Sequence, residues 1–443
     1  MSSQDKPIPG DVLEFPFNSA PESLSNILRA ISPSRPSFIY ERISTRTRAP
    51  ERTCIGIGRN QFPSATDESN AFENLRRYLT EHATGRDGPQ AVFGFLSYEA
   101  LVADAPQFGG SPATPHYLLI SPSLLIDLDH VAGVARLSGD RHAALSDIKA
   151  ALTQERGGTP QQSRLAPSGD DLSGWRPNQT QEEFVGTASA LQKELAARED
   201  IVGAALSVEL ELEAACDPLE AYLVLRQINP STCMFFVEDQ EFALWGATSL
   251  PVLKIQGCQL TAETDGATRR VEPGASDTWN PSAKENEEYD LVVAALRDDL
   301  AGVIEPSSLA FVADKEPRQY FNLRHLFAEV TGRLAPGVDA VSALKRLTPH
   351  GAATGYGKSA AVELIRRFDA RPRGPYAGAV AVLGLDGSAD AACVIRSAWK
   401  VGSTIRTRAG AKVVSTSDPA AEYQESVLKT LPLRRSIGQV ISS

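Results

Sequence analysis

Two acidic spacings in this chain of 443 residues could do chemistry. Glu285 and Glu288 lie in a stretch, 282–300, whose apolar residues recur at helical intervals. At about 100° per residue both point the same way as Val292, Ala295 and Leu296, while Glu287, Asp290, Arg297 and Asp298 fall on the other side. A carboxylate on an apolar face is costly unless a cation meets it. Glu422 and Glu425 repeat the spacing near the C-terminus. There Asp418-Pro419 reads as an N-cap followed by proline in the first turn, and Glu422, Glu425 and Lys429 share a face opposite Tyr423, Val427 and Leu431. Two facing E-x-x-E pairs could hold one hard divalent ion with positions left for water and substrate oxygens, as magnesium prefers. The alternative is two solvated helix faces, with Glu425 and Lys429 as an i,i+4 ion pair.

Elements that would position these pairs follow from the apolar periodicity. Thr180 and Glu183 have capping-box spacing, and Phe184, Ala188, Leu191 and Leu195 continue at helical intervals. Leu206, Val208, Leu210 and Leu212 alternate with polar residues, which predicts a strand. Further strands are expected at 233–237, 242–246, 377–384 and 391–399, and helices at 217–227, 282–300, 320–330, 358–368 and 419–430. Residues 36–58 and 90–137 carry short apolar runs bounded by turn residues. A polar, Pro- and Gly-rich shift at 154–179 suggests a β-rich N-terminal part (1–160), a linker or loop (161–179) and a second part (180–443). Strands come in pairs rather than βαβ units, so the expected fold is α+β, with antiparallel sheets in a sandwich-like core and flanking helices.

Composition narrows the function classes. A formal net charge of −11 offers no basic stripe to neutralise phosphates, which argues against nucleic acid. Five scattered cysteines without a CxxC pair suit reduced thiols in the cytoplasm. The N-terminus lacks the pattern of a signal peptide and no run has the apolar length of a membrane span, so a cytoplasmic protein is expected.

The same acidic stretches carry a family pattern. Lys284-Glu285-Asn286-Glu287-Glu288, followed by Arg297-Asp298-Asp299-Leu300, resembles the KE-x-x-E…RND helix of chorismate-utilising enzymes. That family includes anthranilate synthase component I, aminodeoxychorismate synthase component I, and the isochorismate and salicylate synthases. In the family's order, Leu225-Arg226-Gln227-Ile228-Asn229-Pro230-Ser231 resembles LR-x-x-NPS and Arg373-Gly374-Pro375-Tyr376-Ala377-Gly378 resembles RGPY-x-G. Ile395-Arg396-Ser397 resembles IRT, and Ser417 to Glu425, ending in Lys429, resembles SDPE-x-EY-x-E…K.

The resemblance implies the chorismate-binding fold and a magnesium ion held by Glu285, Glu288, Glu422 and Glu425, meeting the substrate's ring carboxylate. It implies that Tyr376, Arg396 and Lys429 meet the enolpyruvyl carboxylate, with backbone amides from the turn at Gly410-Ala411. His325, within Asn322-Leu323-Arg324-His325-Leu326, matches a histidine close to the leaving hydroxyl, and Lys358 ends a segment matching PAGT-x-SGAPK. Both are catalytic candidates. Gly357-Lys358-Ser359 also ends like a phosphate loop, but Gly351 lies one residue too far upstream and no obvious strand precedes it.

Departures from the pattern concern the bond-making residues. Leu250 stands where the family's GASPE glutamate acts as general acid, and leucine transfers no proton. Gly203 stands where water-adding members carry a lysine and ammonia-using members a glutamine. Lys412 replaces the last glycine of a GAG turn, and its ammonium either crowds the turn or reaches a different substrate. Arg42 replaces the serine of the LLES segment of tryptophan-inhibited members, so tryptophan inhibition is not expected. The expectation is a magnesium-dependent enzyme that aminates chorismate, drawing ammonia from solution or a separate glutamine amidotransferase subunit. The alternatives are a turnover-deficient chorismate-binding or partner subunit, and a new reaction on a chorismate-like substrate.

Overall fold

A computed structural model describes residues 12–17, 23–31, 34–44, 47, 49–58, 71–82, 90–102, 114–139, 145–153, 173–271, 279–320, 323–369 and 371–442. Two antiparallel sheets organise them. One runs, in hydrogen-bonded order, through Leu13–Pro16, Val134–Gly139, Leu124–Asp129, Pro50–Ile57, Pro36–Ile43, Cys233–Asp239, Phe242–Thr248, Ser397–Val401, Thr404–Val414, Gly203–Glu213 and Gly355–Tyr356, with Arg176–Pro177 also on Gly203–Glu213. The other runs through Ala310–Tyr320, Leu323–Arg333, Gln259–Arg270, Pro251–Gln256, Ala389–Cys393, Ala379–Gly384, Ala91–Leu96 and Tyr117–Ile120.

Period-two alternation makes these sheets into layers. Phe38, Tyr40, Phe235 and Leu244 of the first sheet pack on Phe93, Phe95, Val380 and Val382 of the second. The Phe38 and Phe93 rings stack at 4.9 Å. Alternate residues Ile39, Phe236 and Trp245 face outward onto Tyr222, Leu225, Leu433 and Ile437 from helices Pro218–Ile228 and Leu431–Ile441. The result is the expected α+β sandwich with flanking helices. Strands on both sides of residues 161–179 share both sheets: Pro36–Ile43 pairs with Cys233–Asp239, and Ala91–Leu96 with Ala379–Gly384. Residues 161–172 lie outside the described residues, as does Asn322.

Two expected elements need correction. The segment expected as a helix over 320–330 is the strand Leu323–Arg333, paired on both sides. Leu323, Leu326, Phe327 and Val330 recur at helical spacing, but Leu326, Ala328 and Val330 are buried on one face of the strand and His325 and Phe327 on the other. Burial of both faces hides the alternation. The strand expected over 391–399 is two strands, Ala389–Cys393 in one sheet and Ser397–Val401 in the other.

Candidate active site

That break locates the site. The chain leaves the first sheet for the second at Ser249-Leu250, and returns at Val394-Ile395-Arg396. Ser249, Leu250, Ile395 and Arg396 from these crossings line a cavity of about 550 Å³. Arg396 turns through a left-handed backbone conformation, φ 48°, unusual for a residue with a Cβ, and its carbonyl accepts from Ala247 N at 3.1 Å. Strain of this kind persists where the surrounding structure imposes it, commonly at functional sites. The guanidinium makes no hydrogen bond or ion pair to a described residue, and burial lowers its pKa from the ordinary arginine range.

Tyr376 reaches the same cavity from the turn before Ala379–Gly384. The Ala377 N–H donates to Val394 O at 2.8 Å and the Val394 N–H to Gly378 O at 2.9 Å, so this turn and the Arg396 crossing hold each other. A Cβ on Gly378 would lie 2.3 Å from Leu96 O, which requires glycine there. A Cβ on Gly410 would lie 2.7 Å from the Tyr376 hydroxyl oxygen, so glycine lets the phenol approach the Thr404–Val414 strand. Burial pushes the phenol up to about 12, leaving it a proton donor at neutral pH. Lys429 closes the group: its ammonium donates to Gly410 O at 2.9 Å and pairs with Glu425 at 2.7 Å. That ammonium holds the Glu425 carboxyl below the usual range. Tyr376, Arg396, Gly410 and Lys429 therefore line one cavity. Ala411 does not line the cavity; it is buried on the opposite face of its strand.

The acidic residues divide. Glu288, Glu422 and Glu425 line the cavity, carried by helices Ala283–Leu300 and Pro419–Lys429. A Cβ on Gly266 would meet Val292 Cγ2 at 2.9 Å, so this glycine admits the first helix against its strand and sets Glu288 at the rim. Asp418 caps the second helix through Ala420 N and Ala421 N, with Pro419 in the first turn. Glu285 is elsewhere. Its carboxylate takes a two-pronged ion pair from Arg269, at 3.0 and 2.7 Å, and accepts from Ser282 N at 2.7 Å in a capping box. The Ser282-x-x-Glu285 spacing was a legible signal for this second role. Among the described residues no three carboxylate, imidazole or thiol groups converge on one point as metal ligands. The charge balance nevertheless favours a cation. Five carboxylates (Asp265, Glu288, Asp418, Glu422, Glu425) line the cavity against three cations (Arg396, Lys412, Lys429), and hard oxygen donors suit magnesium.

His325 lines the cavity and is buried; burial first lowers its pKa, opposed by Asp265, whose carboxylate stands 3.9 Å away. Asp265, which the sequence reading gave no role, thus belongs to the site. Lys358 does not. It pairs with Asp299 at 2.8 Å and donates to Arg346 O at 3.0 Å, tying helix Lys358–Phe368 to helix Ala283–Leu300. Lys358 and Asp299, the last acidic residue of the Arg297-Asp298-Asp299 run, are each other's structural partners.

The family model described as chorismate binding enzyme matches residues 35–435. The chain belongs to the chorismate-binding enzyme family. Among curated proteins it is similar to anthranilate synthase component 1 of Escherichia coli, 30% identical over 392 residues that cover 83% of this chain and 74% of the relative. Among solved structures it shares its fold with the menaquinone-specific isochorismate synthase of Escherichia coli (TM-score 0.70, 19% identity, covering 98% of this chain and 96% of that one). It shares it also with anthranilate synthase component I of Streptococcus pneumoniae (TM-score 0.68, 21% identity, 98% and 95%). Within this chorismate-binding fold, Leu250 is buried against the apolar core while lining the cavity. At Gly203 a Cβ would lie 2.8 Å from Val413 O and 2.9 Å from Val414 Cγ1, so the close approach of the two strands excludes a side chain. No helix among the described residues is long and apolar enough to cross a membrane.

Proposed function

We propose that this protein is a magnesium-dependent enzyme that converts chorismate by amination, of the anthranilate or aminodeoxyisochorismate type. The observation that carries this reading is the mixed charge of the cavity lining. Tyr376, Arg396 and Lys429 line the same cavity as Glu288, Glu422 and Glu425, and Lys429 pairs with Glu425. Chorismate has two carboxylates. The guanidinium of Arg396 offers a planar fork to one of them, the Tyr376 phenol donates a hydrogen bond, and Lys429 adds a point charge. A second carboxylate brought near Glu288 and Glu422 would be repelled unless a cation intervenes. Magnesium held by Glu288, Glu422 and Glu425 would supply that charge and Lewis-acid polarisation of the ring substituents. Glu285 would join only on leaving Arg269.

His325 stands where it can hold or pass a proton at its imidazole, next to Asp265. Leu250 presents an apolar side chain to the same cavity. Ammonia would come from solution or a separate glutamine amidotransferase subunit. Incubation with chorismate, magnesium and ammonium, followed by mass spectrometry, tests the reading against a Glu288→Ala control. An aminated product above the control supports it; unchanged chorismate sinks it. Leu250 favours a second reading, a chorismate-binding subunit without turnover. In that case calorimetry finds magnesium-dependent chorismate binding with no product, and Leu250→Glu raises turnover.

A further inference from the structure

Two paired strands contribute to the cavity wall. Gly203, Ala205 and Ser207 stand opposite Val414, Lys412 and Gly410, so all six present the same face, and Ala205, Gly410, Lys412 and Val414 line the cavity. Lys412 is the long polar side chain among them. Its ammonium lies 3.8 Å from the centroid of the Tyr356 ring and makes no hydrogen bond or ion pair to a described residue. Charged groups face it from three elements: Glu288 from one helix, Lys429 and Glu422 from another, and Asp265 from the Gln259–Arg270 strand. All of these residues, with Tyr356, line the one cavity.

We propose that the Lys412 amine is the proton acceptor for the nucleophile that adds to the substrate ring, an assignment that rests on the chorismate-converting reading above. A lysine without a counter-ion over an aromatic face is held as a cation only weakly, because burial removes hydration and the ring returns part of it. Burial outweighs the carboxylates here and brings the amine down to about 8, so about a tenth is neutral at pH 7. As ammonia or water forms its bond to the ring carbon, Lys412 Nζ takes one proton from the attacking nitrogen or oxygen. The ring double bonds shift and the carbon–oxygen bond to the leaving hydroxyl breaks with its electron pair; the departing hydroxide combines with the proton that Lys412 releases to solvent, so one water leaves for each nucleophile added. The crowding that excludes a side chain at Gly203 does not leave the wall without a base, because the adjacent strand supplies one. A cavity with such a base activates water as well as accepting ammonia, so both products are looked for.

Competitive acetylation with acetic anhydride between pH 6 and 10 in magnesium-free buffer, read by peptide mass spectrometry, tests the amine without any substrate. Lys412 is expected to label with a midpoint near 8, against about 10.4 for exposed lysines; a midpoint at the exposed value overturns the proposal. In turnover of chorismate with magnesium and ammonium, Lys412→Met should lower kcat about a hundred- to ten-thousand-fold with KM little changed. The rise of kcat/KM with pH towards 8 should disappear. Lys412→Arg, which keeps the charge, should be equally slow, and a melting curve shows that each variant is folded. A variant with wild-type kcat and pH profile overturns the assignment. Should wild-type protein leave chorismate unchanged, the proposed function fails and this assignment falls with it, whereas product formation with Lys412 labelling at the exposed value overturns the assignment alone.

Discussion

Arg42 and Arg396 lie in the same sandwich, and their surroundings are opposite. Arg42 projects from Pro36–Ile43 between the sheets, where its Nε donates to Asp390 at 2.8 Å. Its Nη1 lies 3.6 Å from Glu263, and Tyr40 donates to the same Asp390 at 2.6 Å. Asp390 belongs to the facing sheet and is 1% exposed. This cluster fills the inter-sheet space with matched charge. Arg396 projects into a cavity where no carboxylate among the described residues pairs with it, and Lys412, which lines the same cavity, lacks an ion pair too. Matched charge fixes the two layers in register; unmatched charge is left for something that enters from outside. Burial alone does not separate the two cases, and partner geometry does.

Breaking the matched cluster should have the largest effect. Arg42→Met leaves Asp390 buried without its cation and should cost about 3–5 kcal/mol in urea unfolding, with Arg42→Met/Asp390→Leu recovering most of it. An undiminished single variant would show that the cluster is not matched charge in the sense argued here. At the unmatched site the expected outcome reverses. Arg396→Met should leave the unfolding midpoint unchanged or raised, yet weaken chorismate binding by roughly 10- to 100-fold, the worth of about 1.5–3 kcal/mol for charged hydrogen bonds. Calorimetry and melting on one preparation separate the two; equal binding removes Arg396 from the site.

A smaller effect concerns pH. His130, His325 and His350 all have pKa values lowered by burial. The unfolded chain therefore binds protons more readily, near an ordinary value of about 6.5. Their contribution to stability is fully present above that value and is lost as pH falls through the lower folded values. The urea midpoint should drop between pH 7.5 and 5.5, and a rise on acidification would contradict the buried placement. Smallest of all is the response to tryptophan. With Arg42 occupying the space between the sheets, millimolar tryptophan should leave turnover unchanged, and inhibition would show that this space still opens.

Residue types and spacing determined much of this protein. The helices at 282–300 and 419–430, the capping box at Thr180 and the strand alternation from Leu206 follow from periodicity and capping that act within one element, and all are present. Tyr376, Arg396 and Lys429 were legible through motifs whose residues meet across the fold. Tertiary structure alone decided the rest. Glu285 and Glu288 share a spacing and a helix face, yet a strand residue, Arg269, takes one and leaves the other at the cavity. Lys358 and Asp299 cancel each other across two helices. Asp265 enters the site from one sheet without any motif to announce it, and Lys412, noted in sequence only as the residue that replaces a turn glycine, enters from the other. Local sequence fixes which way a side chain points along its own element, because that depends on backbone periodicity. It does not fix which charge stands opposite, because that partner arrives from a distant part of the chain only when the sheets and helices pack.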